Sequence, residues 1–260
     1  MKTFIDQMKR EVILKGKPKR IISLVPSQTE LLFSLGLEKE TIAITKFCVH
    51  PKEWRKKKEI IGGTKKLNLD KISKLNPDLI IGNKEENKQE DIEWLSKNHS
   101  VWMSDIYNIT DSLKMIECIG KICDKEKQTQ KIINSIKEEL IDLDHFSKSP
   151  IKKALYVIWD NPTMVAGKKT YIDSIMRLIN INNACDTNRY PNLKDVDIQK
   201  PDCIFLSSEP YPFKKKHIQK YRNKFPNSQV ILVDGEMFSW YGSRIIKAIP
   251  YIKSIRDKLI

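Results

Sequence analysis

Aromatic rings beside a few polar groups recur in this chain, each time just after a short apolar run. Lys46 to Pro51 holds Cys48 and His50, with Trp54 close behind. Trp159 opens a second such stretch and Ser207 to Phe213, with Glu209 and Tyr211, forms a third. Asp234 to Arg244 then gathers Glu236, Phe238, Trp240, Tyr241 and Arg244. Ser27, Glu85 and Tyr107 hold comparable places after three further apolar runs. Rings with a small number of polar groups are the usual lining of a pocket for a flat, largely apolar ligand. These residues therefore form the candidate binding set, with Glu85, Glu209, Glu236 and Arg244 to meet polar substituents. Two bland readings compete: Ser27 is a residue type that caps helices, and a tryptophan taken alone is more often a packing residue.

Catalysis is not indicated. The chain has no Gly-rich phosphate loop, nucleophile elbow or metalloprotease helix. Its four histidines, His50, His99, His145 and His217, are widely separated, so a three-histidine set for a bare zinc ion is hard to assemble. No direct metal site and no intrinsic cofactor are expected. His50 is placed to approach a metal already held inside a chelate or corrin, with Cys48 as a softer alternative.

The net charge of +14 invites a nucleic-acid reading. Only 8 of the 47 basic residues are arginine, whereas phosphate and base recognition favour the arginine fork. No nucleic-acid partner is expected. The five cysteines are odd in number and show no metal-type spacing, which reads as free thiols rather than a disulfide framework. The N-terminus lacks the apolar stretch of a secretory signal, and no apolar run approaches the roughly 18 residues of a membrane span. As written, the chain is expected in the cytosol, not membrane-inserted, and monomeric.

The elements that must position the candidate residues are legible in a repeat. Leu69 to Ile81 and Leu193 to Phe205 each read as a short amphipathic helix, a Pro-Asp pair and a buried strand. Proline cannot continue a helix and drives the residue before it out of the helical region, so the chain turns there. Strands are predicted at 20–25, 41–45, 79–82, 101–104, 154–158, 203–207 and 230–233, with helices between them, the alternation of parallel sheets. Open sheets of this kind bind ligands beyond the carboxyl ends of their strands, where the candidate residues fall. Ile133, Ile136, Leu140 and Leu143 recur at helical spacing between the halves. The expected fold is α/β: a first lobe at 18–124, a helix at 125–146 and a second lobe at 150–260, both lobes with mostly parallel sheets.

Arg20 to Leu37, Gly62 and Gly63, Leu69 to Ile81 and the interlobe helix together resemble class III ABC-transporter substrate-binding proteins, the helical-backbone receptors for cobalamin or iron chelates. The similarity covers roughly 18–260. It implies two lobes bridged by one long helix, and a small-molecule metal chelate in the cleft, a corrinoid before an iron siderophore or haem. An ABC permease is the implied partner, and a periplasmic or membrane-anchored location if the true start lies upstream. It also implies one acidic docking residue in each lobe. Asp70 matches in the first. In the second the matching position is Lys194, so Asp195 next to it is the substitute. A cytosolic enzyme or chaperone of cofactor metabolism using the same cleft is the alternative.

Overall fold

The computed structural model describes residues 1–141, 143 and 152–259. They form two compact units. The first comprises Met1–Ile106, Thr110–Ser135 and Tyr241–Arg244; the second comprises Tyr107–Ile109, Ile136–Trp240 and Ile245–Ile260.

The first unit opens with a hairpin, β1 (Lys2–Ile5) and β2 (Glu11–Leu14), that the sequence reading placed outside the lobe. Its turn is organised by Asp6, whose carboxylate accepts from the backbone of Met8 and Arg10 and from the Arg10 side chain. The sheet that follows runs in the order β5 (Glu59–Ile60), β4 (Thr41–Ile44), β3 (Ile21–Ser23), β8 (Leu79–Asn83), β9 (Val101–Ser104), and every pairing is parallel. Strands β3, β8 and β9 are buried at every residue. That is the signature of a parallel sheet covered on both faces. Helix α1 (Pro26–Ser34) starts on proline, whose missing N–H costs nothing at a first turn. It is followed by α2 (Trp54–Lys57), α3 (Leu69–Lys74), α4 (Gln89–Ser96) and α5 (Ile109–Ile122). A tight hairpin, β6 (Gly62–Gly63) with β7 (Lys66–Leu67), precedes α3. Gly62 adopts φ +99, and a Cβ there would lie 2.4 Å from the Lys66 carbonyl oxygen, so only glycine fits.

Helix α6 (Glu126–Ile141) contributes to the first unit as far as Ser135 and to the second from Ile136. Residues 142 and 144–146 of the helix expected at 125–146 lie outside the described residues. Gly120 of α5 meets Thr129 of α6 so closely that a Cβ would sit 2.0 Å from the threonine hydroxyl.

The second unit has its own sheet in the order β11 (Thr163–Ala166), β10 (Lys152–Asp160), β13 (Cys203–Ser207), β14 (Gln229–Val233), with β12 (Ile181–Asn183) paired to β10. Only β11 is antiparallel. Around it lie α7 (Tyr171–Leu178), α8 (Lys215–Lys224), α9 (Gly235–Ser239) and α10 (Ile245–Asp257). The repeat is only partly a repeat of structure. Leu69–Lys74 is a helix, but its counterpart Leu193–Asp195 is a single 3-10 turn. After the turn Val196 is extended, and it packs with Leu193 and Ile198 on the core of this unit.

The Pro-Asp pairs have a further job. Asp78 accepts from the backbone N–H of Lys19 and Arg20 at 2.8 and 2.9 Å. Asp202 accepts from Lys153 N–H at 2.7 Å. Each aspartate thus pins the start of the neighbouring strand and satisfies amides that the ladder leaves over.

Candidate functional site

In the first unit the carboxyl ends of β3, β4, β8 and β9 carry the predicted residues. The loop after β8 is held by Asn83, whose side-chain oxygen accepts from the Glu85 and Glu86 amides at 2.8 and 3.2 Å. Asn87 closes the turn by accepting from Asn83 N–H at 2.9 Å and donating to the Thr64 carbonyl at 3.1 Å. Glu85 is left half-buried on this rigid turn, and Lys65 donates to its backbone carbonyl. His50 is half-buried in the loop after β4.

Several other first-unit candidates are interior residues. Cys48 is fully buried and its sulfur receives the Thr29 hydroxyl at 3.0 Å, while burial pushes its thiol pKa up, so it is not poised as a soft metal contact. Trp54 is also fully buried, edge-on to Phe33 with ring centres 5.6 Å apart. Ser27 is buried and caps nothing, because α1 is entered from Val25 without a side-chain cap. It lies instead, with Ser104, against the Tyr241 hydroxyl, whose pKa burial raises. Arg244 faces Glu30: its Nε donates to Glu30 Oε2 at 2.7 Å, both side chains being nearly buried. Tyr241 to Arg244 is thus built into the first unit, where Gly242 N–H donates to Ser112 and Ser243 accepts from Ser34.

The first unit also has a cavity of about 990 Å³, lined by Lys46, Phe47, Gly63, Lys65, Lys66, Asp70 and Trp94 among others. The Phe47 ring lies flat on Gly63, where a Cβ would be 2.9 Å away. Phe47 and Trp94 are 51% and 37% exposed, unusual for such large rings. The sequence reading missed both, although Phe47 stands in the loop after the 41–45 strand. Asp70 is exposed in the first turn of α3, behind an Asn68 cap.

In the second unit the exposed Trp159 stands against the half-buried Tyr211, at the carboxyl ends of β10 and β13. Their ring centres are 5.6 Å apart, and Trp159 is 39% exposed. Tyr211 is backed by Phe213 and His217, so it is held from behind. Phe238 is fully buried between Tyr156 and Phe205, which returns it to the core. Trp240 is 7% exposed, and its indole N–H donates to Glu209 Oε1 at 2.8 Å. The same oxygen accepts from Ser239 at 2.7 Å, so Glu209 is committed to this segment. Gly235 makes the arrangement fit, since a Cβ there would lie 2.5 Å from Glu209 Cγ. Glu236 is half-buried in the first turn of α9. Tyr107, grouped with this unit, lies under the Arg189 guanidinium at 5.8 Å. Asp195 is exposed and receives Asn192 at 3.1 Å.

Among the described residues no group of three His, Cys, Asp or Glu side chains is arranged to hold a metal ion. Nor is any helix long and apolar enough to cross a membrane. What the geometry offers is ring surface and a few fixed polar groups.

A family profile described as periplasmic binding protein matches residues 21–223. The chain is 27% identical over 270 residues to an uncharacterized ABC transporter substrate-binding lipoprotein, YvrC, of Bacillus subtilis, covering 95% of this chain and 82% of that one. It is 25% identical over 246 residues to the vitamin B12-binding protein of Pectobacterium carotovorum, covering 91% and 88%. Among solved structures, the periplasmic vitamin B12 binding protein BtuF of Vibrio cholerae superposes with a TM-score of 0.80 at 20% identity, over 94% of this chain and 99% of that one.

Proposed function

The chain belongs to the periplasmic binding protein family, and on that premise we propose that it is the substrate-binding component of an ABC importer for a metal-containing chelate, a corrinoid first. The observation that carries this reading is the exposed Trp159 ring, backed by the half-buried Tyr211, at the strand ends of the second unit. A large ring held open to solvent costs apolar exposure unless a flat partner covers it. A macrocycle offers such a face, and its burial contributes about 25 cal/mol per Å² before the cost of association. A relative named as a vitamin B12-binding protein supports a corrinoid over other macrocycles.

The role is one of capture and hand-over: the residues bind and orient, and no bond in the ligand need change. We assign docking on the permease to Asp70 and Asp195, both exposed, and place the working protein on the outer side of the membrane. The lysines of the first-unit cavity, Lys46, Lys65 and Lys66, favour a second reading, an acidic iron chelate.

Titration by absorbance and tryptophan quenching with cyanocobalamin, haemin and ferric chelates tests the proposal. Saturable binding of one of them is expected. Trp159→Ala should weaken it at least about tenfold, since removing a ring anchor typically costs 2 kcal/mol or more. Failure of the wild-type protein to bind any of the three would overturn the reading.

A further inference from the structure

Helix α8 carries a one-sided charge that ligand capture does not use. Its sequence is Lys-Lys-His-Ile-Gln-Lys-Tyr-Arg-Asn-Lys, and no Asp or Glu occurs anywhere from Pro210 to Val233. Ile218, Tyr221 and Phe225 turn inward onto a core cluster with Phe213 and Val230. At 100° per residue the remaining arc holds Lys215, Lys216, Gln219, Lys220, Arg222, Asn223 and Lys224, all exposed. Lys220 is neutralised by Asp160 at 2.6 Å. Among the described residues no carboxylate pairs with Lys215, Lys216 or Arg222. Some lysines elsewhere are paired with acids, as in Lys71 with Glu59, Lys84 with Asp105 and Lys121 with Glu117. What sets α8 apart is its place in residues 210–233, the longest stretch of the chain without a carboxylate.

We infer that this face docks on a bilayer surface rich in anionic lipid headgroups. Lysine is a compact point charge suited to a diffuse sheet of phosphates, whereas the arginine fork of nucleic-acid recognition is present only at Arg222. At 100° per residue Lys215, Lys216 and Arg222 lie within about 120° of arc on a helix about 15 Å long, so these three can come within the roughly 8 Å over which physiological salt leaves such attraction standing. The arc exposes no apolar side chain, so contact is peripheral and reversible by salt, unlike insertion of an amphipathic helix. The inference is independent of which ligand the protein captures.

Sedimentation of the intact protein with vesicles tests it. Binding is expected to vesicles of phosphatidylglycerol and phosphatidylcholine in equal parts, and not to phosphatidylcholine alone. Reversing Lys215→Glu, Lys216→Glu and Arg222→Glu together should weaken binding at least about tenfold. Reversing Lys127→Glu, Lys131→Glu and Lys137→Glu on α6, an equal change in net charge, should leave it within about twofold. Equal losses in the two triple variants would overturn the inference, as would wild-type protein that ignores anionic vesicles at low salt. Tighter binding to a DNA duplex than to the vesicles would also overturn it. Circular dichroism melts of both variants show that each is folded.

Discussion

The indole N–H of Trp240 points at Glu209, 31 residues earlier in the chain, across 2.8 Å, and Ser239 donates to the same carboxylate oxygen. One acceptor thus fixes two successive residues at the end of α9. Glu209→Ala would take this acceptor from the indole, while the Ser239 hydroxyl keeps the Gly235 carbonyl at 2.8 Å, and should destabilise the protein by about 2 kcal/mol, the range for hydrogen bonds to a charged acceptor. Glu209→Gln keeps an acceptor oxygen and should lose less than half of that. Denaturant melts of the two variants decide it; equal losses would mean that charge rather than acceptance matters.

The Glu30 and Arg244 pair is buried. Removing one partner leaves an uncompensated charge, so Glu30→Gln or Arg244→Met alone should cost about 3 to 5 kcal/mol, whereas the double replacement should recover most of it. A double-mutant cycle measured by urea unfolding checks this. Additive losses would show that the two side chains act separately.

Stability should also respond to acid through Asp160. Burial raises its pKa, but the hydrogen bonds from Lys220 and Tyr221 outweigh this and leave it below the usual carboxylate value. A depressed folded-state pKa gives stabilisation that is present above the unfolded value, about 4, and is lost as pH falls through the folded one. Asp160→Asn should therefore flatten the fall in melting temperature below about pH 4. An unchanged acid limb would show that the contacts of Asp160 carry no linkage.

All five cysteines are free thiols, four of them buried. Burial raises Cys123 to about 12 and Cys203 to about 11, and it raises Cys48, Cys118 and Cys185 as well. In the native protein a thiolate-directed reagent should modify Cys118, the half-exposed one, first. After denaturation without reductant all five should react. A pair that stays protected until reductant is added would contradict the assignment.

Strands such as Cys203–Ser207 and Leu79–Asn83 were legible in the sequence because a buried parallel strand is an unbroken apolar run. The two-residue strands β6 and β7 and the β1–β2 hairpin were not, since their pairing is set by Gly62 and Asp6 rather than by a hydrophobic pattern. In the candidate site the loops after the strands were legible, and the direction of each side chain was not. Trp159 and Trp240 look alike in sequence, yet one is exposed and the other donates to a buried-side carboxylate. Arg244 reads as a ligand contact until Glu30, 214 residues away, is found against it. Such long-range partners leave no local spacing to read.

The first unit takes one piece, Tyr241 to Arg244, from far beyond its other segments in the chain. A ribosome must add 214 residues after Glu30 before Arg244 can meet it and Gly242 can meet Ser112. Folding unit by unit in the order of synthesis, the common route for multi-part chains, therefore cannot complete this unit. During translation Glu30 of α1 must wait for Arg244, and a nascent chain arrested before residue 241 should be a better chaperone client than the folded protein.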